Sequence, residues 1–356
     1  MTAWARRVRE AAREVAGPDV VIAFSREGQR LIATGGTAPE PPEGRTHQRY
    51  EIGSASKTFT VLLLAALAHT GRVSPHDPVR AHLPPGVRPD AGRAGPRDPL
   101  RARRPPHTLP HRSHPGAATL AHLATHTSGL PRLPHDPAYW RQALPAWHTN
   151  PYAHYDTGAL LAAFARHRPR HRPGTRWRYS NFGGALLGQT LAHTCRTTYA
   201  DLLTDRVLTP LALCDTGLHP GVPGRDATGH RRDGTPLPPL RMTGFAPAGA
   251  VRATPGDLLT YLEAHLTPAR TPLGGALHTV RTPVLVRGVR HRQAHTLTWF
   301  HDGDGADPVY FHPGATPGQE AFLGFRPATG TAVAALTTRA WTRSSTLGSV
   351  ARGLLE

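Results

Sequence analysis

The feature that most constrains this chain is that β-type text stands at both ends and helical text fills the middle. Val20 to Phe24 and Arg30 to Thr34 are short apolar runs split by Arg26-Glu27-Gly28, which reads as a hairpin after an opening amphipathic helix. Val309 to His312, Gln319 to Phe325 and Thr331 to Thr337 are three more such runs, followed by a closing helix predicted over Thr342 to Leu355. Strands so far apart in sequence must pair across whatever lies between them. The expectation is an α+β fold, with one antiparallel sheet built from both chain ends, flanked by helices, and a mostly helical region inserted. In residue terms the sheet region takes 1–53 and 240–356, and the helical region 54–239.

The text predicts helices over Ser54 to His69, Thr119 to His126, Thr157 to Arg166, Gly183 to His193 and Tyr199 to Leu208 within the helical region, and one more over Thr254 to Leu266 beyond it. The run Val61 to Ala68 is the longest apolar stretch, too short for a membrane span and better read as a helix buried on all sides. Gly71 ends that helix, and Asp77-Pro78-Val79 reads as the start of an extended segment. Residues 88–117 lose hydrophobic periodicity and fill with Pro, Arg, His and Gly, which reads as a solvated, flexible insertion.

Composition matters chiefly for one residue. The chain has 42 basic residues, of which 41 are arginine and one, Lys57, is lysine. Wherever charge alone suffices, arginine is used; an ammonium is the cation that burial can bring to neutrality. Lys57 stands three residues after Ser54, so one helical turn puts its amine on the same face as the hydroxyl, within reach of the serine proton. The net charge of +18 is scattered among histidines and prolines and forms no basic stripe interleaved with aromatics, so nucleic acid is an unlikely partner. Cys195 and Cys214 lack a partner motif and read as reduced, buried thiols. The amino-terminal helix has no apolar core of signal length, which predicts a cytoplasmic protein with no membrane anchor.

Three motifs then fall in order: Ser54-Ala55-Ser56-Lys57; Tyr179-Ser180-Asn181, preceded by Pro173-Gly174 and followed by Phe182-Gly183-Gly184; and His312-Pro313-Gly314. Thr125-His126-Thr127-Ser128-Gly129-Leu130-Pro131 and the segment from Gly318 to Phe325 stand between and after them. The ordered set resembles the penicillin-recognising serine enzymes, most like class C β-lactamases and their esterase relatives, across nearly the whole chain. That resemblance implies Ser54 as nucleophile, with Lys57 and Tyr179 sharing the proton work; which of the two is the formal base stays open. It implies Asn181 as the group that orients Lys57 and binds an acyl-side carbonyl, and the backbone N–H groups of Ser54 and Ala315 as the oxyanion hole. Gly314 would let substrate approach, and His312, standing where other branches have lysine, would bring a hydrogen bond and a tunable charge.

Duller readings compete: Tyr179 as a core tyrosine, His312 as a strand residue that only packs. His122 and His126, one turn apart, have the spacing of zinc ligands, but no third ligand is marked, so no metal or other cofactor is expected and His126 is assigned to supporting the fold. Pro313 removes a strand N–H and calls for an edge position. The implied activity is hydrolysis of a small intracellular ester or amide through an acyl-enzyme. Acyl transfer from Ser54 to an amine or alcohol is the alternative, and a non-catalytic binding protein the third reading.

Overall fold

In a computed structural model, residues 2–87, 118–169, 171–287, 293–302 and 307–356 are described. The expected insertion at 88–117 lies outside them. Chain order is α1 (Ala3–Glu14), β1 (Val20–Arg26), β2 (Gln29–Gly35), β3 (Tyr50–Glu51), α2 (Ser56–His69), α3 (Leu120–Ala124), α4 (Pro137–Ala143), α5 (Thr157–Arg166), α6 (Asn181–Cys195), α7 (Tyr199–Leu203) and α8 (Ala246–Gly249). It continues with β4 (Arg252–Ala253), α9 (Pro255–Leu266), α10 (Gly274–Arg281), β5 (Leu285–Arg287), β6 (Gln293–His295), β7 (Phe300–Asp302), β8 (Val309–Ala315), β9 (Glu320–Arg326), β10 (Thr331–Thr337) and α11 (Leu347–Gly353).

Both chain ends meet in one antiparallel sheet of order β2-β1-β10-β9-β8-β7-β6-β5. Its seam is β1 on β10, with Val20 opposite Thr337 and Arg26 opposite Thr331. The β1–β2 hairpin closes through Glu27 at φ 51° and Gly28 at φ 82°, two left-handed residues whose twist matches that of the strands they join. Period-two alternation then divides β1 between two cores. Val20, Ile22 and Phe24 face α1 and α11, while Val21 and Ala23 face the helical side, where α9 packs.

Helix α2 is buried from Ser56 to Leu67, as an apolar run without an amphipathic stripe demands. No helix among the described residues is long and apolar enough to cross a membrane. Several boundaries differ from the text. The Asp77-Pro78-Val79 segment makes one bridge, Pro78 to Thr119, and then a 3-10 turn over Val79–His82, because the Asp77 carboxylate accepts from Ser74 N at 2.7 Å and His82 Nε2 at 3.0 Å and closes a turn instead of a strand. The last helix starts at Leu347, five residues late, since the polar run before it bonds locally: Ser345 N donates to Thr342 O at 3.1 Å. Both cysteines are free, but Cys214 is exposed and Cys195 only partly buried.

Candidate active site

From Tyr50 to Leu67 every residue is buried except Ser54. The backbone reaches that partly exposed point through Gly53, which holds φ 48°, and a 3-10 turn over Gly53–Ala55 that runs into α2. A side chain at Gly53 would lie 2.4 Å from the Ala315 carbonyl, and one at Gly314 only 1.9 Å from the Ile52 carbonyl. These two glycines therefore let the end of β8 press against the turn that carries Ser54. The sequence reading gave Gly314 to substrate approach; the neighbour that excludes a side chain there is the protein's own backbone.

Lys57, the second residue of α2 and one turn after Ser54, is 3% exposed, with its amine 3.2 Å from Ser54 Oγ and 2.7 Å from the Ala248 carbonyl. Its alkyl stem lies against Gly184 of α6, where a Cβ would be 3.2 Å from Lys57 Cε. Burial, assisted by the positive charge of Arg132, brings the amine down to about 7. The segment that supplies the Ala248 carbonyl is lashed to α2 at two further points. Val251 N donates to Ser56 Oγ at 3.0 Å, and Thr60 Oγ1 donates to Pro247 O at 2.6 Å.

Tyr179 comes from mid-chain, just ahead of α6, whose first turn is capped by Ser180 Oγ accepting from Gly183 N at 2.8 Å. Its ring lies beneath the Lys57 amine, 5.0 Å from amine to ring centre, and its hydroxyl bonds to Ser54. Burial pushes the phenol up to about 12, the Ser54 bond and Arg132 opposing the shift. His126 holds this segment in place: at φ 59° it accepts from Ser180 N on Nδ1 at 3.3 Å and sets its ring 4.5 Å from that of Tyr179. His122 does something else, its Nδ1 accepting from Thr119 N at the start of α3, so the two rings serve separate backbone groups.

Asn181 lines the same pocket, but its amide nitrogen donates to the Tyr152 hydroxyl at 3.3 Å, where the resemblance implied an interaction with Lys57. Its Oδ1 is buried with no partner among the described residues. His312 is buried on β8, with Nδ1 donating to Pro313 O at 2.7 Å and its ring 5.2 Å from Phe300. Burial first, and the nearby Lys57 amine second, pull it down to about 3. The imidazole is thus neutral, and the tunable charge expected of it is absent because the ring is cut off from water. Pro313 is tolerated because β7 pairs only as far as Phe311, leaving β8 one neighbour there.

Over Ser54 lies a pocket of about 40 Å³, lined also by Tyr152, Asn181, Met242, Phe245 and Ala315. Tyr152, Met242 and Ala315 belong as well to an open cleft of about 900 Å³ whose walls carry Trp140, Trp147 and Trp341 and the arginines 132, 178, 231 and 232. Tyr152, Phe245 and Ala248 were missed in the sequence; only the small-residue text from Gly244 to Gly249 hinted at a close backbone approach. A hydroxyl beside a near-neutral amine and a protonated phenol is an arrangement able to attack a carbonyl and pass a proton on.

Against known proteins, the chain is 27% identical over 219 residues to the D-alanyl-D-alanine-carboxypeptidase/endopeptidase AmpH of Escherichia coli strain K12, a match covering 61% of this chain and 48% of that one. It thus spans about half the length of that relative. Its fold superposes on a beta-lactamase/D-alanine carboxypeptidase from Pseudomonas syringae with a TM-score of 0.76 at 18% identity, covering 99% of both chains. A D-stereospecific amidohydrolase from Streptomyces sp. gives 0.71 at 23%, covering 95% of this chain and 94% of the other. With the Beta-lactamase family model matching residues 4–348, the chain belongs to the Beta-lactamase family of serine hydrolases.

Proposed function

We propose that this protein hydrolyses a small ester or amide through an acyl-enzyme on Ser54. The observation that carries the reading is the Lys57 amine, buried, 3.2 Å from Ser54 Oγ and brought to about 7. At neutral pH a large share of that amine is unprotonated, while the Tyr179 phenol near 12 keeps its proton, so Lys57 is the base for Ser54 and Tyr179 the acid. A neutral amine donates one hydrogen to Ala248 O and turns its lone pair to the serine hydroxyl.

In the first step Ser54 Oγ bonds to the carbonyl carbon, its proton goes to Lys57, and the carbonyl oxygen becomes an oxyanion held by the N–H groups of Ser54 and Ala315. The oxyanion collapses, the bond to the leaving group breaks, and Tyr179 gives that group a proton, which Lys57 makes good. Water then attacks the acyl-enzyme ester with the two groups in the same roles: Lys57 takes the proton of the water, Tyr179 returns one to Ser54 Oγ as the free acid leaves, and Lys57 again makes Tyr179 good. Asn181 lines the pocket over Ser54 and has an unpartnered Oδ1, which suits it to accept from an N–H on the acyl side of the substrate. The open cleft favours water as the acceptor.

The test is an activated ester with and without added amine, following both protein mass and products. Acyl mass on Ser54 with release of free acid is the expected result. A coupled amide would make the protein an acyltransferase, and an unmodified protein with no turnover would make it a binding protein. In Ser54→Ala both adduct and turnover should vanish, a loss of about 10⁴-fold or more.

A further inference from the structure

Beside the catalytic cleft, and separate from Ser54, lies a second cavity of about 250 Å³ between the 129–136 loop, the end of α5 and residues 168, 171, 176 and 178. Its walls bring together Arg166, Arg168, Arg176 and Arg178 with His135, His167 and His171. One carboxylate, Asp136, also lines it, and that group is already committed: it accepts from the Tyr155 hydroxyl at 2.7 Å and from Arg166 at 3.1 Å. Among the described residues, Arg168, Arg176 and Arg178 form no ion pair with a carboxylate.

The cavity is held open by backbone. Gly174 N donates to Thr127 O and Arg178 N to His126 O, both at 2.8 Å, so the arginine-bearing segment folds over the loop. Gly129, at φ 82°, passes 3.0 Å from the His171 carbonyl where a Cβ would stand. His167 Nε2 is buried with no partner, and the His135 and His167 rings are 6.2 Å apart. Arg168, Arg178 and His135 all add to the positive field that, after burial, keeps His167 low. Arginines scattered over a surface repel into solvent; here several converge on one concavity in which Asp136, bonded to Arg166, is the one lining carboxylate, and Arg176 Nη1 meets only the neutral acceptor His171 Nε2, at 3.4 Å.

We propose that this cavity is a binding site for a phosphoryl group. Several forked donors from different directions suit a tetrahedral, multiply charged oxyanion better than a single carboxylate. The cavity shares Pro131, His135 and Arg178 with the open cleft that adjoins the pocket over Ser54, so the phosphoryl group belongs either to the acyl substrate itself or to a free anion bound next to it.

Inorganic pyrophosphate titrated into the full chain by calorimetry, at fixed ionic strength of about 0.15 M, should bind saturably, one per chain. The double variant Arg168→Gln, Arg176→Gln should weaken it roughly tenfold or more, while Arg72→Gln, Arg206→Gln, which removes two exposed arginines elsewhere, should not. On the unmodified chain, pyrophosphate should protect Arg168 and Arg176 from phenylglyoxal, read by peptide mass, which needs no variant to fold. Absent saturation, equal losses in both double variants, or protection spread evenly over surface arginines would overturn the site. A KM lowered for a phosphorylated ester and restored in Arg168→Gln, Arg176→Gln assigns the group to the substrate; altered turnover of a neutral ester on adding pyrophosphate assigns it to a free anion. Because binding is read without catalysis, its failure leaves the acyl-enzyme reading standing, and the reverse holds.

Discussion

The inner and outer walls of the site treat basic side chains in opposite ways. On the inner wall, where α2, α6 and α8 meet β8, Lys57 and His312 are buried and both lose proton affinity, to about 7 and about 3. On the outer wall Arg132, Arg178 and Arg232 stay exposed to water, and guanidinium keeps its charge in any case. The difference is one of chemistry as much as of depth. Only the amine lands near working pH, because imidazole starts four units lower and burial carries it past usefulness. A chain that uses arginine at 41 of its 42 basic positions keeps lysine for the place where a proton must come off.

The largest expected effect comes from erasing that difference at Lys57. Lys57→Arg puts a permanently charged group on the inner wall and should lower kcat/KM by about 10³-fold, roughly 4 kcal/mol of barrier; an arginine variant within tenfold of the parent would refute the role given to the amine. Lys57→Met sharpens the same point through stability. The amine is near 7 when folded and 10.5 when unfolded, so the unfolded chain binds more protons between those values and stability rises as pH climbs through that window. The methionine variant should be inactive, melt about a few degrees higher at pH 7, and lose that rise, all readable by calorimetry.

Close packing at the β8 end gives the next effect. Gly314→Ala would set a methyl 1.9 Å from the Ile52 carbonyl, backbone against backbone with no flexible side chain to yield. It should cost about 3 kcal/mol in a denaturant titration and lower activity through the displaced Ser54 turn. A variant as stable as the parent would show that the two segments separate easily.

How much of this was legible in the sequence follows from how each contact is made. Ser54 and Lys57 are one helical turn apart, so local geometry alone joins them, and the hairpin at Glu27-Gly28 is local too. Pairing of β1 with β10 is long-range, yet the presence of strands at both ends left little choice. Tyr152, Phe245 and Ala248 reach the pocket by tertiary packing alone, with residue types common anywhere, and no spacing marks them. Strands β5 to β7 are three residues each, below the length at which alternation can be read. His312 was legible as a residue but not as a neutral one: its state depends on burial, which text does not carry. Convergence of arginines on the second cavity was hidden for a related reason, since in an arginine-rich chain those in 166–178 look like all the others.

The smallest expected effect separates the two walls most cleanly. Lys57 is the base placed beside Ser54, with its amine brought to about 7, so kcat/KM should rise with pH through a midpoint there and level off above it. His312 is already neutral across that range, so His312→Gln should leave the midpoint unmoved, whatever its effect on the rate through packing. Arg132 acts from the other side, its guanidinium 6.0 Å from the centre of the Tyr179 ring and its charge holding the Lys57 proton off. Removing a positive neighbour makes protonation easier, so Arg132→Met should move the midpoint upward by about a few tenths of a unit, less at high salt because the guanidinium is exposed. A midpoint that shifts with His312→Gln and not with Arg132→Met would mean that the imidazole, and not the arginine, sets the charge around Lys57.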